Sequence, residues 1–278
     1  MRKVFIILIW VVLTACTRET LRVNSTLILL ANQQEFSTRA PSPDEIRITD
    51  CNILVFNPYG DMEERIFIPD RALRAEDGYL KYEVRLLRDV PYTLLVALNL
   101  GYALPQMTLD EARTYRYHMA YPDEYSRGLP MVALREAVTP GDSIHLRAQR
   151  LMARVDLQLD RRQLSDDIFL KVTDVEVGGS ASSVQLFPGS VAEDVFRQGF
   201  THRNEEVQAL NRFDAAGLSE TVSLYVLENL AEGSYVEIKA EYHSDDQHTE
   251  AGERVTYRFD LPPLRRNGVY PVVAAFKQ

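Results

Sequence analysis

Five histidines, two cysteines and a group of closely spaced tyrosines are the residues of this 278-residue chain whose types and spacing bear on chemistry. In His243-Ser244-Asp245-Asp246-Gln247-His248, four metal-capable side chains (His243, Asp245, Asp246 and His248) would surround one ion if the loop folded back on itself. The same residues also describe a polar hairpin loop, because Asp, Ser and Gln are common in exposed turns, and on that reading no metal is held. His118, His145 and His202 stand apart in sequence and read as surface or packing residues. Tyr115, Tyr117, Tyr121 and Tyr125 share an irregular segment, where aromatic faces either contact a ligand or cover the core beneath a long connection. The chain has no nucleophile elbow, glycine-rich phosphate loop, dinucleotide fingerprint or paired-cysteine zinc spacing. It therefore reads as non-enzymatic, with no catalytic residue and no cofactor.

Cys16 belongs to a different kind of chemistry. Arg2 and Lys3 precede an apolar run over residues 4–13, too short to span a bilayer as a permanent helix, and the run ends in Leu13-Thr14-Ala15-Cys16. That tetrapeptide resembles the lipobox of bacterial lipoproteins. The resemblance implies that residues 1–15 are removed as a signal peptide and that Cys16 carries two or more acyl chains, enough for stable anchoring. Thr17 is not an acidic retention signal, so the outer membrane is the expected location. With Cys16 acylated, Cys51 has no intramolecular partner and is expected to pack inside a strand. The formal net charge is −9, two units more negative once Arg2 and Lys3 leave with the signal. An acidic chain with Arg and Lys scattered among the acids argues against a nucleic-acid partner.

The elements that must position these residues are strands. Period-two alternation recurs along the chain, whereas helical periodicity is convincing in few places. Ile46, Ile48, Ile53 and Val55 begin the series, and a buried strand closes on the turn Asn57-Pro58-Tyr59-Gly60. Strands are predicted at 79–87 and 92–99, and Thr108 followed by Leu-Asp-Glu caps a short helix. Leu151, Ala153, Val155, Leu157 and Leu159 should face a core, with Met152, Arg154, Asp156, Gln158 and Asp160 facing water. Further strands are predicted from Ile168 to just before Gly178-Gly179, then at 222–227, 236–242, 255–261 and 269–276; Pro271 marks the last as an edge. The predicted fold class is all-β, with two β-sandwiches joined near residues 146–150 and short helices in the connections. The expected division is 1–15 signal peptide, 16–147 N-terminal sandwich and 148–278 C-terminal sandwich.

These residues, taken in order, resemble the fimbrillin superfamily: the stalk, tip and anchor subunits of type V pili and their lipoprotein relatives. The resemblance covers nearly the whole mature chain. It rests on the lipobox, on Ser37-Thr38-Arg39-Ala40 followed by the strand from Cys51 to Gly60, and on Leu129-Pro130-Met131-Val132 leading to the strand from Leu151 to Leu157. Tyr225-Val226-Leu227-Glu228-Asn229 and Arg266-Asn267-Gly268-Val269-Tyr270 resemble two further family landmarks. The resemblance implies two tandem transthyretin-like β-sandwich domains and assembly by strand addition. In such pili an arginine-specific protease removes the first mature strand, and a neighbour's strand fills the vacated groove.

The matching exchangeable strand lies within residues 21–32, with Leu21, Val23, Leu27, Ile28, Leu29 and Leu30 as its apolar residues. Arg39 is either the matching cleavage residue or a plain loop residue. Because Cys16 precedes Arg39, a cut there would free the body from its lipid, so a stalk or tip subunit is cut and an anchor stays whole. The chain stops at Gln278, a few residues past its last predicted strand, which favours a cap, tip or anchor role over an ordinary stalk role. The implied partners are other fimbrial subunits, the membrane through the lipid on Cys16, and a host protein or glycan. A second class is a lipid-anchored carbohydrate-binding module of the outer membrane, which would use the tyrosine-rich segment or a sandwich edge and would form no polymer.

Overall fold

The computed structural model describes residues 21–31, 43–76, 78–119, 128–141, 143–187, 197–201, 204–244 and 252–277. Alternation of apolar and polar side chains produces strands almost throughout. In the first half these are β1 (Arg22–Ala31), β2 (Cys51–Phe56), β3 (Met62–Ile68), β4 (Ala75–Glu76), β5 (Tyr79–Leu87), β6 (Tyr92–Leu98), β7 (Arg116–His118), β8 (Met131–Val138) and β9 (Ser143–Arg150). Two short α-helices, α1 (Pro43–Ile46) and α2 (Leu109–Thr114), and one 3-10 turn at Asp70–Ala72 join them. The second half contributes β10 (Met152–Gln163), β11 (Phe169–Ala181), β12 (Ser183–Gln185), β13 (Arg197–Thr201), α3 (Asn204–Leu210), β14 (Val222–Leu227), β15 (Tyr235–His243), β16 (Glu253–Asp260) and β17 (Val269–Lys277). None of the described helices is long and apolar enough to cross a membrane.

The first half forms one sheet in the order β3-β2-β6-β8-β9-β1-β5-β4. It folds over at the short β8–β9 pairing, Met131↔Arg150 and Val132↔Gln149, so that its two halves face each other. Ile53, Val55, Leu94 and Val96 from one half meet Leu27, Leu29, Val84 and Ile144 from the other in a single core. The second half places a β14-β10-β17 sheet over a β13-β11-β15-β16 sheet. Val155, Leu224 and Phe276 from the first of these pack with Val172, Val175 and Ile238 from the second. The fold is thus all-β, in sandwiches held by inward-facing alternate residues.

A third apolar cluster joins the two sandwiches. Leu54, Phe56, Leu95 and Ala97, on the outer face of the first, pack with Met152, Val184, Leu186, Phe187 and Leu227 of the second. β7 and β12 pair antiparallel across the same junction, from Arg116↔Gln185 to His118↔Ser183. β9 runs into β10 with one residue between them, so the chain changes sheet at Leu151.

Local signals hold where their causes are local. β5 has the predicted bounds, and Thr108 and Glu111 complete a reciprocal capping box at the start of α2. Pro271 lies in β17, which among the described residues pairs with β10 alone. The turn before β3 is built by Asn57, whose Oδ1 accepts from the amides of Tyr59 and Asp61, and by Gly60 at φ 86°.

Three expectations are corrected. Ile46 ends α1 rather than beginning a strand. β11 does not stop before Gly178-Gly179 but continues to Ala181: its register with β13 shifts between Val177 and Ser180, a bulge that holds Gly179 at φ 62°, close to the Gly233 carbonyl, where any side chain would collide. The outer face of β10 is not wholly wet: Arg154 and Asp160 are buried, and Leu151 and Met152 both belong to the cluster between the sandwiches.

Candidate functional site

β1 lies inside its sheet rather than at an edge. It pairs antiparallel with β5 from Arg22↔Leu87 to Leu30↔Tyr79, and parallel with β9 from Thr26↔Ser143 to Ala31↔Ala148. Its ends are tied as well: the Arg88 amide donates to the Leu21 carbonyl and the Ala31 amide to the Gly78 carbonyl. Period-two geometry sends Ser25, Leu27, Leu29 and Ala31 inward, where all four are buried and Leu27 and Leu29 are fully enclosed. The Ser25 hydroxyl accepts from the Gly141 amide, which satisfies the polar atom at the small end of this row.

The sequence expectation of a continuous greasy centre is therefore refined. Leu27 and Leu29 fill the core, with Val23 half-buried on the same face, while Ile28 and Leu30 face outward and are half-buried. Leu21 is corrected, since it precedes the strand and is 57% exposed. Without β1, the facing edges of β5 and β9 would lose their ladder partner and the core would hold a slot shaped for a small, large, large, small series. Burying each leucine is worth roughly 1.5–3 kcal/mol, so the empty slot would be a strong apolar binding site. Cys16 and Arg39, the candidate lipidation and cleavage residues, lie outside the described residues.

The chain that follows α1 is held by buried polar groups. Asn99, in the left-handed region at φ 61°, accepts from the Thr49 amide and donates to the carbonyls of Arg47 and Leu129. Asp50 accepts from the amides of Leu100 and Gly101, and burial raises its carboxyl above the usual range despite those bonds. Asn52 bonds the Tyr102 carbonyl and the Leu104 amide. Beside them, Cys51 is buried with a free thiol, pushed far up by burial and by the Asp50 charge, so it is a packing residue rather than a nucleophile.

Other candidates fall differently. Tyr117 is 5% exposed inside the cluster between the sandwiches, which removes it as a ligand-stacking face, and Tyr115 packs against the same cluster. Tyr121 and Tyr125 lie outside the described residues. His243 is buried beside Glu241, with Gly252 closing over its ring, while Asp245, Asp246, His248 and His202 lie outside the described residues. Among the described residues no group of His, Cys, Asp and Glu is arranged to hold a metal.

Sequence reasoning missed Glu45, Arg150 and Arg154. Glu45 follows a polar link and Arg154 lies in an alternating strand, so neither carried a local sign of burial. All three are enclosed at the point where β9 becomes β10. Two of the motifs that carry the sequence resemblance also have physical roles. Glu228 receives the Arg266 side chain at 2.7 and 2.9 Å, and Arg266 also donates to the carbonyls of Gln185 and Leu186. Asn229 bonds the Gly179 carbonyl and Ser234.

No family model matches the chain, and no curated protein matches it in sequence. Solved structures do match its fold. A fimbrial assembly protein from Parabacteroides distasonis superposes with TM-score 0.60 at 14% identity, covering 92% of each chain. The tip fimbrial protein Mfa3 from Porphyromonas gingivalis, with C-terminal truncation, gives TM-score 0.55 at 12% identity, covering 92% of this chain and 95% of its own. A fimbrilin from the same organism gives 0.52 at 14%, covering 84% and 80%. The fold is that of fimbrial subunits and tip proteins.

Proposed function

We propose that this chain is a cell-surface fimbrial subunit, or an accessory tip or anchor lipoprotein, that assembles by β-strand exchange and takes part in adhesion. It has no catalytic role on this reading. Lipid on Cys16 tethers the precursor to the outer membrane, other fimbrial subunits are its partners by strand addition, and a host protein or glycan is its ligand. The observation that carries the reading is the place of β1: an internal strand, with its inward leucines in the core, that lies in sequence between Cys16 and the link containing Arg39. One cut in that link severs lipid and strand together and leaves a groove open to strand addition. The fold shared with fimbrial proteins supports the same reading.

The test is to incubate purified precursor with an arginine-specific protease and follow mass and gel mobility. For a stalk or tip subunit the expected result is a cut after Arg39, loss of the segment carrying β1, and a ladder of oligomers resistant to mild detergent; an anchor stays whole at Arg39. A protein cut after Arg39 that keeps β1 bound and stays monomeric contradicts the proposal.

A further inference from the structure

The chain on the two sides of residues 32–42 is held by different physics. Upstream, β1 is fixed by a backbone ladder and by alternate apolar side chains, contacts that any strand of the same pattern reproduces. Downstream, the first described element is α1, and its Glu45 carboxylate is completely buried. It accepts from Arg150 Nη1 and, at 3.1 Å to each oxygen, from Arg154 Nη1. Arg154 is also ion-paired with Asp156 at 3.1 Å. Arg150 donates from Nε to Asn267 Oδ1 at 3.3 Å, and its guanidinium lies over the Tyr225 ring at 5.8 Å. Arg150 is 0% exposed and Arg154 2%.

These two arginines flank Leu151, the residue at which the chain leaves the first sandwich for the second. Asn267 and Tyr225 belong to the second sandwich and Glu45 to the first; the carboxylate bonds Arg150 and Arg154, and Arg150 in turn reaches Asn267 and Tyr225. The backbone closes over the same place, with the Asn267 amide donating to the Met152 carbonyl and the Arg154 amide to the Gly268 carbonyl. Two guanidiniums this deeply enclosed need a buried anion, because removing one partner of such a cluster strands the charge that remains.

We infer that Glu45 is a latch: it marks where the exchangeable segment ends and keeps the two sandwiches locked together while β1 leaves. An incoming strand supplies a ladder and apolar side chains, but it does not supply this carboxylate. The latch rests on the strand-exchange reading for its purpose, and its geometry is independent of that reading. Exchange then alters the groove without loosening the junction, and the subunit keeps its shape through assembly.

The test uses the full chain with residues 36–40 replaced by a site-specific protease sequence, and reads amide hydrogen exchange at three positions. Thr49 donates to Asn99 beside α1, while Met119 and Leu186 donate across the junction to Ser182 and Tyr115. In the cut wild-type protein all three amides are expected to stay protected. In Glu45→Gln, protection at all three is expected to fall about 100-fold or more. If Glu45→Gln does not fold, the triple variant Glu45→Met, Arg150→Met, Arg154→Leu is expected to fold and to restore protection at Met119 and Leu186, because it removes the stranded charges. Unchanged protection in Glu45→Gln overturns the latch, as does Thr49 exchanging as fast as the cut ends, or failure of the triple variant to fold. Oligomers on a gel report separately on strand exchange: a cut protein that stays monomeric with Thr49 protected counts against exchange and for the latch.

Discussion

Replacing Leu27 and Leu29 together by alanine is expected to cost about 4–8 kcal/mol of stability, a large share of what keeps a domain folded. Both side chains are fully enclosed, and each removal deletes buried methyl groups and leaves a cavity between the facing halves of the sheet. The control is the adjacent pair. Ile28 and Leu30 are about as apolar but face outward, half-buried, and alanine there is expected to cost about 1–2 kcal/mol in total. Urea unfolding followed by circular dichroism reads both. Similar losses from the two pairs would mean that β1 does not sit in the register described.

Phe187→Ala is the second large effect. Phe187 is 1% exposed in the cluster that joins the sandwiches, so its loss, about 3–5 kcal/mol, falls on the contact between them rather than on either inner core. The expected signature in calorimetry is a single transition that splits into two, because the sandwiches then unfold separately. Phe276→Ala, which truncates a ring inside the second core, is expected to lower the single transition without splitting it. A single cooperative transition in Phe187→Ala would contradict the role assigned to the third cluster.

The contrast between these sites explains what was legible in the sequence. β5, the edge strand with Pro271 and the Thr108 cap follow from residues within a few positions of one another, and their physics is local. Period-two reading also found the greasy strand, but it could not choose which parity faced inward; Leu27 and Leu29 are selected by β5 and β9, which lie far along the chain. The same limit hid Glu45 and Arg154. A charged residue in an alternating strand reads as solvent-facing until a counter-charge arrives from another element, here across 109 positions. Gly179 was legible as a turn signal, but the chain uses its left-handed conformation for a bulge inside a continuing strand. Tyr117 reads in isolation as either a ligand face or a cover over the core, and only the pairing of β7 with β12 shows which: it is buried.

The central claim is that the slot occupied by β1 accepts a strand by parity. The most direct measurement cuts the protein within residues 32–42, removes β1 under mild denaturation, and titrates the stripped body with a peptide of residues 22–31. The account predicts one-to-one binding, weakened only about 5–30-fold by serine at the half-buried Ile28 and Leu30. Serine at Leu27 and Leu29 should weaken it about 100-fold or more, corresponding to ~3 kcal/mol from two buried leucines. Equal affinity for the two altered peptides, or no binding of the unaltered one to a folded body, would contradict it.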